Sequence, residues 1–284
     1  MSGPIAFAPP RLLQDVNRDG GGNRLLLYEI EGRPALLKHY RRRASAPREW
    51  AKALGYWLLE RKRGVSARSR CAIERELLAL WRRHGFDVPA LLELPLPPGF
   101  DPRTASWLEY CPGPTLRAFA GDRAQPLEVR ERELARFAAT LAARQRCALE
   151  TGETGLVTKH ASLQHVLLHA GRQVHVDFES AHARGSDLTE ALADELSGLV
   201  RSLLRGVRRA DRERLGAAFL AGHGDAVLLR TIASRGIGTG IRRRARRFAD
   251  RWRRPRLSKH DALAWVVERV GKEADPSGPT RSER

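Results

Sequence analysis

A chain of 284 residues with 42% hydrophobic content is long enough for one large domain or two small lobes and apolar enough for a proper core, which excludes a wholly disordered polypeptide. Its formal net charge of +18 suits an anionic partner, whether nucleic acid, anionic lipid or a phosphorylated ligand, without choosing among them. No stretch approaches the roughly 20 uncharged apolar residues that cross a bilayer, and MSGPIAFAPPRLLQD lacks a basic-then-apolar leader pattern, so a cytoplasmic protein is expected.

Arginine supplies nearly all the cations, and lysine stands only at 38, 52, 62, 159, 259 and 272, which makes each lysine the more informative. The three cysteines, Cys71, Cys111 and Cys147, are odd in number and lack CxxC spacing, so neither a disulfide framework nor a zinc site is suggested.

From Leu12 to Tyr40 the pattern is strand-like: an apolar piece, the turn DGGGN, then LLLYEIEG and RPALLKHY. SAPREWAKALGYWLLERKRG reads as a helix with Trp50, Ala53, Leu54, Trp57 and Leu58 on one stripe, Ser45 as cap and Pro47 in the first turn. ARSRCAIERELLALWRRHG reads as a second helix, with Ile73, Leu77, Leu80 and Trp81 on one side and Gly85 as its stop. Two further strands, LLELPL and SWLEY, are separated by a Pro/Gly turn. Helices are expected over 128–150, 186–206, 211–222, within 225–253 and over 259–271. The fold class expected is α+β: a small antiparallel-sheet lobe over 12–111, a connector near CPGPT, a mostly helical lobe over 112–271 that carries segment 156–181, and a flexible tail over 272–284.

Lys38 ends the apolar strand PALLKHY, where a point-charge ammonium facing a cleft suits the phosphates of a nucleotide. Glu74 is its natural partner from the second helix, with Glu76 as the alternative. Further on, KHASLQHVLLHAGRQVHVDFESA joins a histidine-rich polar loop to an apolar strand ending in Asp177.

Turn-rich strands, strand lysine, helix glutamate, the tail GFDVPALLE, a strand ending WLEYCPGPTL, a long helix, a polar loop and a strand ending in Asp177 succeed one another in a telling order. In that order the chain resembles, over 12–205, the protein-kinase-like lipopolysaccharide core kinases of the Kdo and heptose kinase type, and more distantly the RIO-type and aminoglycoside kinases. The resemblance implies a bilobal protein-kinase-like fold with ATP and Mg²⁺ as cofactors. It makes Lys38 the lysine on the α- and β-phosphates and Glu74 the residue that orients it. Gly20, Gly21 and Gly22 fall in the loop over the phosphates, without a GxGxxG, and Glu109 and Tyr110 fall at the hinge that meets adenine. Asp177 matches the aspartate that holds Mg²⁺, with Glu179 where the motif has glycine. Anchoring the catalytic loop on HVLL puts His165 at the second metal-ligand position, His160 where the catalytic aspartate is expected, and Lys159 beside the transferred phosphate. A rival alignment on HAS gives Ser162 the base position but leaves Leu167, which cannot coordinate, as metal ligand.

A neutral imidazole can accept a hydroxyl proton near neutral pH, so His160 is a substitute base or a sign of lost turnover. Three readings stand: a phosphotransferase onto a sugar hydroxyl of a lipid-linked acceptor at the inner-membrane face, a pseudokinase serving as a binding or regulatory module, and a basic nucleic-acid-binding protein. The arginine-rich stretches with Trp50 and Trp57 in 45–63 and with Phe248 and Trp252 in 242–256 suit either a peripheral membrane role or RNA.

Overall fold

The structure, a computed structural model, describes residues 11–15, 23–41, 62–63, 66–183, 185–237 and 257–274. Gly20, Gly21 and Gly22, the expected helix with Trp50 and Trp57, the basic stretch 242–256 and residues 275–284 lie outside the described residues. The chain forms two compact units: one runs to Gly113 and takes in Leu167–Ala183, the other comprises Pro114–Val166 and the chain from Arg184.

In the first unit β1 (Arg11–Asp15), β2 (Arg24–Ile30), β3 (Arg33–His39), β5 (Leu91–Leu92) and β6 (Ala105–Glu109) make an antiparallel sheet in the order β1-β2-β3-β6-β5. Glu31 and Gly32, at φ 52° and 74°, make the tight β2–β3 turn that left-handed residues favour. LLELPL gives a strand of only two residues because Pro95 and Pro97 bring no N–H to a ladder; Leu94 and Leu96 still pack on the sheet's apolar face. That face carries Leu26, Tyr28, Ala35, Leu37, Ala105 and Trp107. The period-2 alternation of β3 therefore turns Lys38 to the other face, where it pairs in register with Leu25 and Ser106.

Helix α1 (Ala67–Arg83) packs on this second face. Ser66 and Ser69 close a reciprocal capping box at its start, and Gly85 at φ 79° lies just past its end. Cys71 Sγ lies 3.3 Å from Ser106 Oγ, and Arg75 donates from Nε to Ser106 Oγ (2.8 Å) and from Nη2 to Ala105 O (2.7 Å). The short strand β4 (Lys62–Arg63) pairs with β9 (Ala181–His182), and β7 (Val166–His169) with β8 (Arg172–His175).

The second unit is helical: α2 (Leu116–Gly121), α3 (Leu127–Thr151), α4 (Leu188–Gly206), α5 (Arg212–His223), α6 (Ala226–Ile237) and α7 (Lys259–Ala274). Helix α4 is its centre, with Leu192, Leu196, Leu199, Val200 and Leu203 buried. The α+β class expected from the sequence, a small antiparallel sheet and then a larger helical part, is what the structure has. Among the described residues no helix is long and apolar enough to cross a membrane.

Candidate functional site

The first unit gathers its buried charges around Lys38. Its Nζ lies 2.7 Å from Glu74 Oε2, 3.2 Å from Glu179 Oε1 and 3.5 Å from Asp177 Oδ1. Burial alone would lower the Lys38 pKa, but the carboxylates of Glu74, Asp177 and Glu179 more than offset it and hold the ammonium charged. Glu74 is the partner because helix α1 turns it inward with Ile73, Leu77 and Leu78; Glu76 falls on the exposed side. Tyr40 donates its hydroxyl to the same Glu74 oxygen, Oε2, and the Tyr40 pKa is raised well above the usual value by burial and then by that carboxylate.

Asp177 is held in place through its neighbour Phe178. The Phe178 ring packs edge-on against Trp81 at 4.8 Å, and its N–H donates to Glu74 Oε1 at 3.3 Å. Asp177 itself sits at φ 71°, a left-handed conformation that aspartate adopts more readily than most residues, and its side chain stays 43% exposed. Glu179 points inward: it accepts from Asn23 Nδ2 and from Arg70 Nη1 (3.0 Å), while Arg70 also donates to Asn23 Oδ1 (2.6 Å) and to Arg41 O. The residue that replaces the motif's glycine thus ties the start of β2 to α1 and to the chain after Asp177. Arg70, Asn23 and Glu179 were not singled out as site residues by sequence. A signal existed for Arg70, which stands one helical turn before Glu74 and so shares its face.

Glu109 ends β6 with its N–H donating to Ala90 O at 2.8 Å; its carboxylate accepts from Ala90 N (3.0 Å) and Arg172 Nη2 (2.5 Å). Tyr110 comes next, half-buried.

Lys159, His160 and His165 belong to the helical unit. Lys159 Nζ is 3.9 Å from Asp194 Oδ2 on α4, a carboxylate that Lys259 also approaches at 3.5 Å. His160 lies exposed in a turn, and His165, half-buried, closes a single 3₁₀ turn by donating its N–H to Ser162 O. The Ser162 hydroxyl caps that turn through Gln164 N–H and meets Ser202 Oγ at 3.1 Å. Gly198 of α4 lets the loop approach: a Cβ there would stand 2.5 Å from Ala161 O.

No family model and no curated protein matches the chain. Among solved structures, WaaP in complex with acyl carrier protein is similar at a TM-score of 0.43 and 16% identity, covering 94% of this chain and 89% of that one. The Rio2 kinase from Chaetomium thermophilum is similar at a TM-score of 0.44 and 13% identity, covering 94% and 74%. Likeness at that level does not assign a family.

Of the residues the sequence points to, Lys38, Glu74 and Asp177 meet in one cluster. The exposed Asp177 carboxylate offers a hard oxygen of the kind Mg²⁺ prefers, 3.5 Å from the Lys38 ammonium, and a carboxylate beside a cation is a donor set that a metal-bound phosphate would suit.

Proposed function

We propose that the chain is an ATP- and Mg²⁺-dependent phosphotransferase of protein-kinase-like type, acting on a hydroxyl group in the manner of the lipopolysaccharide core sugar kinases. The observation that carries this reading is the Lys38–Glu74–Asp177 cluster, with a lysine fixed by a buried glutamate beside an exposed aspartate. Bound Mg²⁺ would neutralise phosphate charge, and Asp177 would be its carboxylate ligand, with His165 the candidate second ligand. Lys38 would meet the α- and β-phosphates, oriented by Glu74. The three N–H groups of Lys38 face three carboxylates, and Asp177 is both the most distant and the most exposed of them, so it would be the carboxylate available to hold a metal while Lys38 stays paired with Glu74. Gly20, Gly21 and Gly22 would cover the phosphates, and Glu109 and Tyr110 would border the base. His160 would accept the acceptor's hydroxyl proton, with Lys159 beside it. A lipid-linked sugar at the inner-membrane face is the acceptor this reading favours, consistent with the net charge of +18.

The pseudokinase reading draws on the same facts: an exposed histidine where the base is expected, and a lysine already engaged by carboxylates. Transfer from labelled ATP to a lipid A–Kdo acceptor separates the two. Transfer lost in Lys38→Met and Asp177→Asn supports the enzyme, whereas Mg²⁺-dependent nucleotide binding without product supports the binding module. Salt-sensitive RNA binding without any nucleotide response would favour a nucleic-acid role instead.

A further inference from the structure

A second cluster in the first unit shares no residue with the Lys38–Glu74–Asp177 group. Glu109, Cys111 and His169 each place one potential ligand atom within 4.8 Å of the others. The fold brings them together by a close backbone approach: a Cβ on Gly113, at φ 150°, would stand 2.0 Å from Leu168 O, so glycine is required where the β6 exit passes β7.

Two of the three are oriented from outside. His169 Nδ1 lies 2.9 Å from Pro112 O; a carbonyl only accepts, so Nδ1 carries a proton, which in the neutral ring leaves the lone pair on Nε2. Glu109 accepts from Ala90 N–H on one oxygen and from Arg172 on the other. Burial opposes its ionisation, yet the Ala90 N–H and the Arg172 guanidinium outweigh that and hold the carboxyl below its usual range. Such outer partners are what metal-binding imidazoles and carboxylates ordinarily have.

We propose that Glu109, Cys111 and His169 form a mixed-ligand Zn²⁺ site, with water completing the tetrahedron. One thiolate, one imidazole and one carboxylate suit a borderline-soft ion and carry two negative charges to balance it. The same set suits Mg²⁺ poorly, because that ion prefers oxygen ligands in an octahedron over thiolate and imidazole. Before binding the thiol holds its proton, its pKa pushed up to about 11 by burial and then by the Glu109 charge. Zn²⁺ takes the sulfur electron pair as the S–H proton leaves to solvent, so one proton is released per ion bound. The sequence hid the site because its only cysteine has no CxxC partner and its histidine comes from another hairpin.

The test uses the untagged full chain, titrated with Zn²⁺ against a chromophoric chelator and separately with Co²⁺, whose thiolate charge-transfer band reports sulfur ligation. Expected are one Zn²⁺ per chain, a Co²⁺–thiolate band, no competition from Mg²⁺, loss of the band in Cys111→Ser, and Zn²⁺ affinity roughly tenfold or more weaker in His169→Gln. Zn²⁺ bound without a thiolate band, or held equally well by both variants, is adventitious binding by surface histidines and overturns the site. If Cys111→Ser does not fold, His169→Gln decides alone, since unchanged affinity there contradicts the proposal. Neither readout depends on nucleotide binding, so failure here leaves the phosphotransferase reading standing.

Discussion

Lys38 Nζ lies 2.7 Å from Glu74 Oε2, with both side chains buried, and this pair is the hub of the first unit's charge network. Replacing Lys38 by methionine keeps the stem but leaves Glu74, Glu179 and Asp177 without their common cation. Losing one partner of a buried pair costs roughly 3–5 kcal/mol. Urea denaturation is expected to show Lys38→Met losing about that much, and Glu74→Gln less, because Lys38 then retains two carboxylates. Equal stability of Lys38→Met and wild type would mean the network is solvated.

The contact between Arg70 and Glu179, at 3.0 Å, should be coupled rather than additive. A double-mutant cycle with Arg70→Met and Glu179→Gln is expected to return a favourable interaction of about 1–3 kcal/mol, since the two share Asn23 as a partner. A cycle that closes near zero would remove Glu179 from any positioning role.

Gly198 carries the packing of the histidine loop on α4. A methyl group there meets Ala161 O at 2.5 Å, so helix or loop must shift. Gly198→Ala is expected to lose roughly 1–3 kcal/mol despite alanine's better helix propensity. Calorimetry of the variant checks this, and a gain in stability would contradict the close approach.

His223 offers a test of pH dependence in the second unit. It is buried on α5 with Nε2 3.1 Å from Gln145 Oε1, and its pKa is lowered to about 4, first by burial, with Arg146 adding to that and Asp225 opposing it. Between pH 6.5 and 4 the unfolded chain binds a proton that the folded chain refuses, so stability is intact above the unfolded pKa and falls as pH drops through this window. The loss attributable to this residue is roughly 3 kcal/mol by about pH 4. His223→Gln should flatten that part of the Tm–pH profile; an unchanged acid limb would show that carboxylates elsewhere set it.

Lys38 was legible because a lysine in an arginine-rich chain at the end of an alternating strand is a sparse signal, and Glu74 because helical period turns it inward with Ile73 and Leu77. Helix α1 was legible from its apolar side and its Gly85 stop, and α3, α4 and α5 fall within two residues of the expected 128–150, 186–206 and 211–222. Other features depend on contacts between distant segments, which local pattern does not encode. Glu179 reads as a degenerate motif position until Asn23 and Arg70 are placed around it. The shortening of LLELPL to Leu91–Leu92 was readable from Pro95 and Pro97, whereas the meeting of Cys111 with His169 was not. The expected roles of Lys159, His160 and His165 rest on the order of residues in the chain; their surroundings on the helical unit are those of a loop pinned to α4 by Ser202 and Asp194.

The most direct test of the central claim is thermal unfolding with ATP, with and without Mg²⁺, on wild type and Asp177→Asn. Asparagine tolerates the left-handed backbone at this position, so the variant should fold. A ligand at about a hundred times its dissociation constant adds about 2.7 kcal/mol of stability. A Mg²⁺-dependent rise in Tm for wild type that loses its Mg²⁺ dependence in Asp177→Asn is predicted. No rise with Mg²⁺ and ATP in folded wild type, or the same Mg²⁺-dependent rise in the variant, would contradict Asp177 as the metal-holding carboxylate of a nucleotide site.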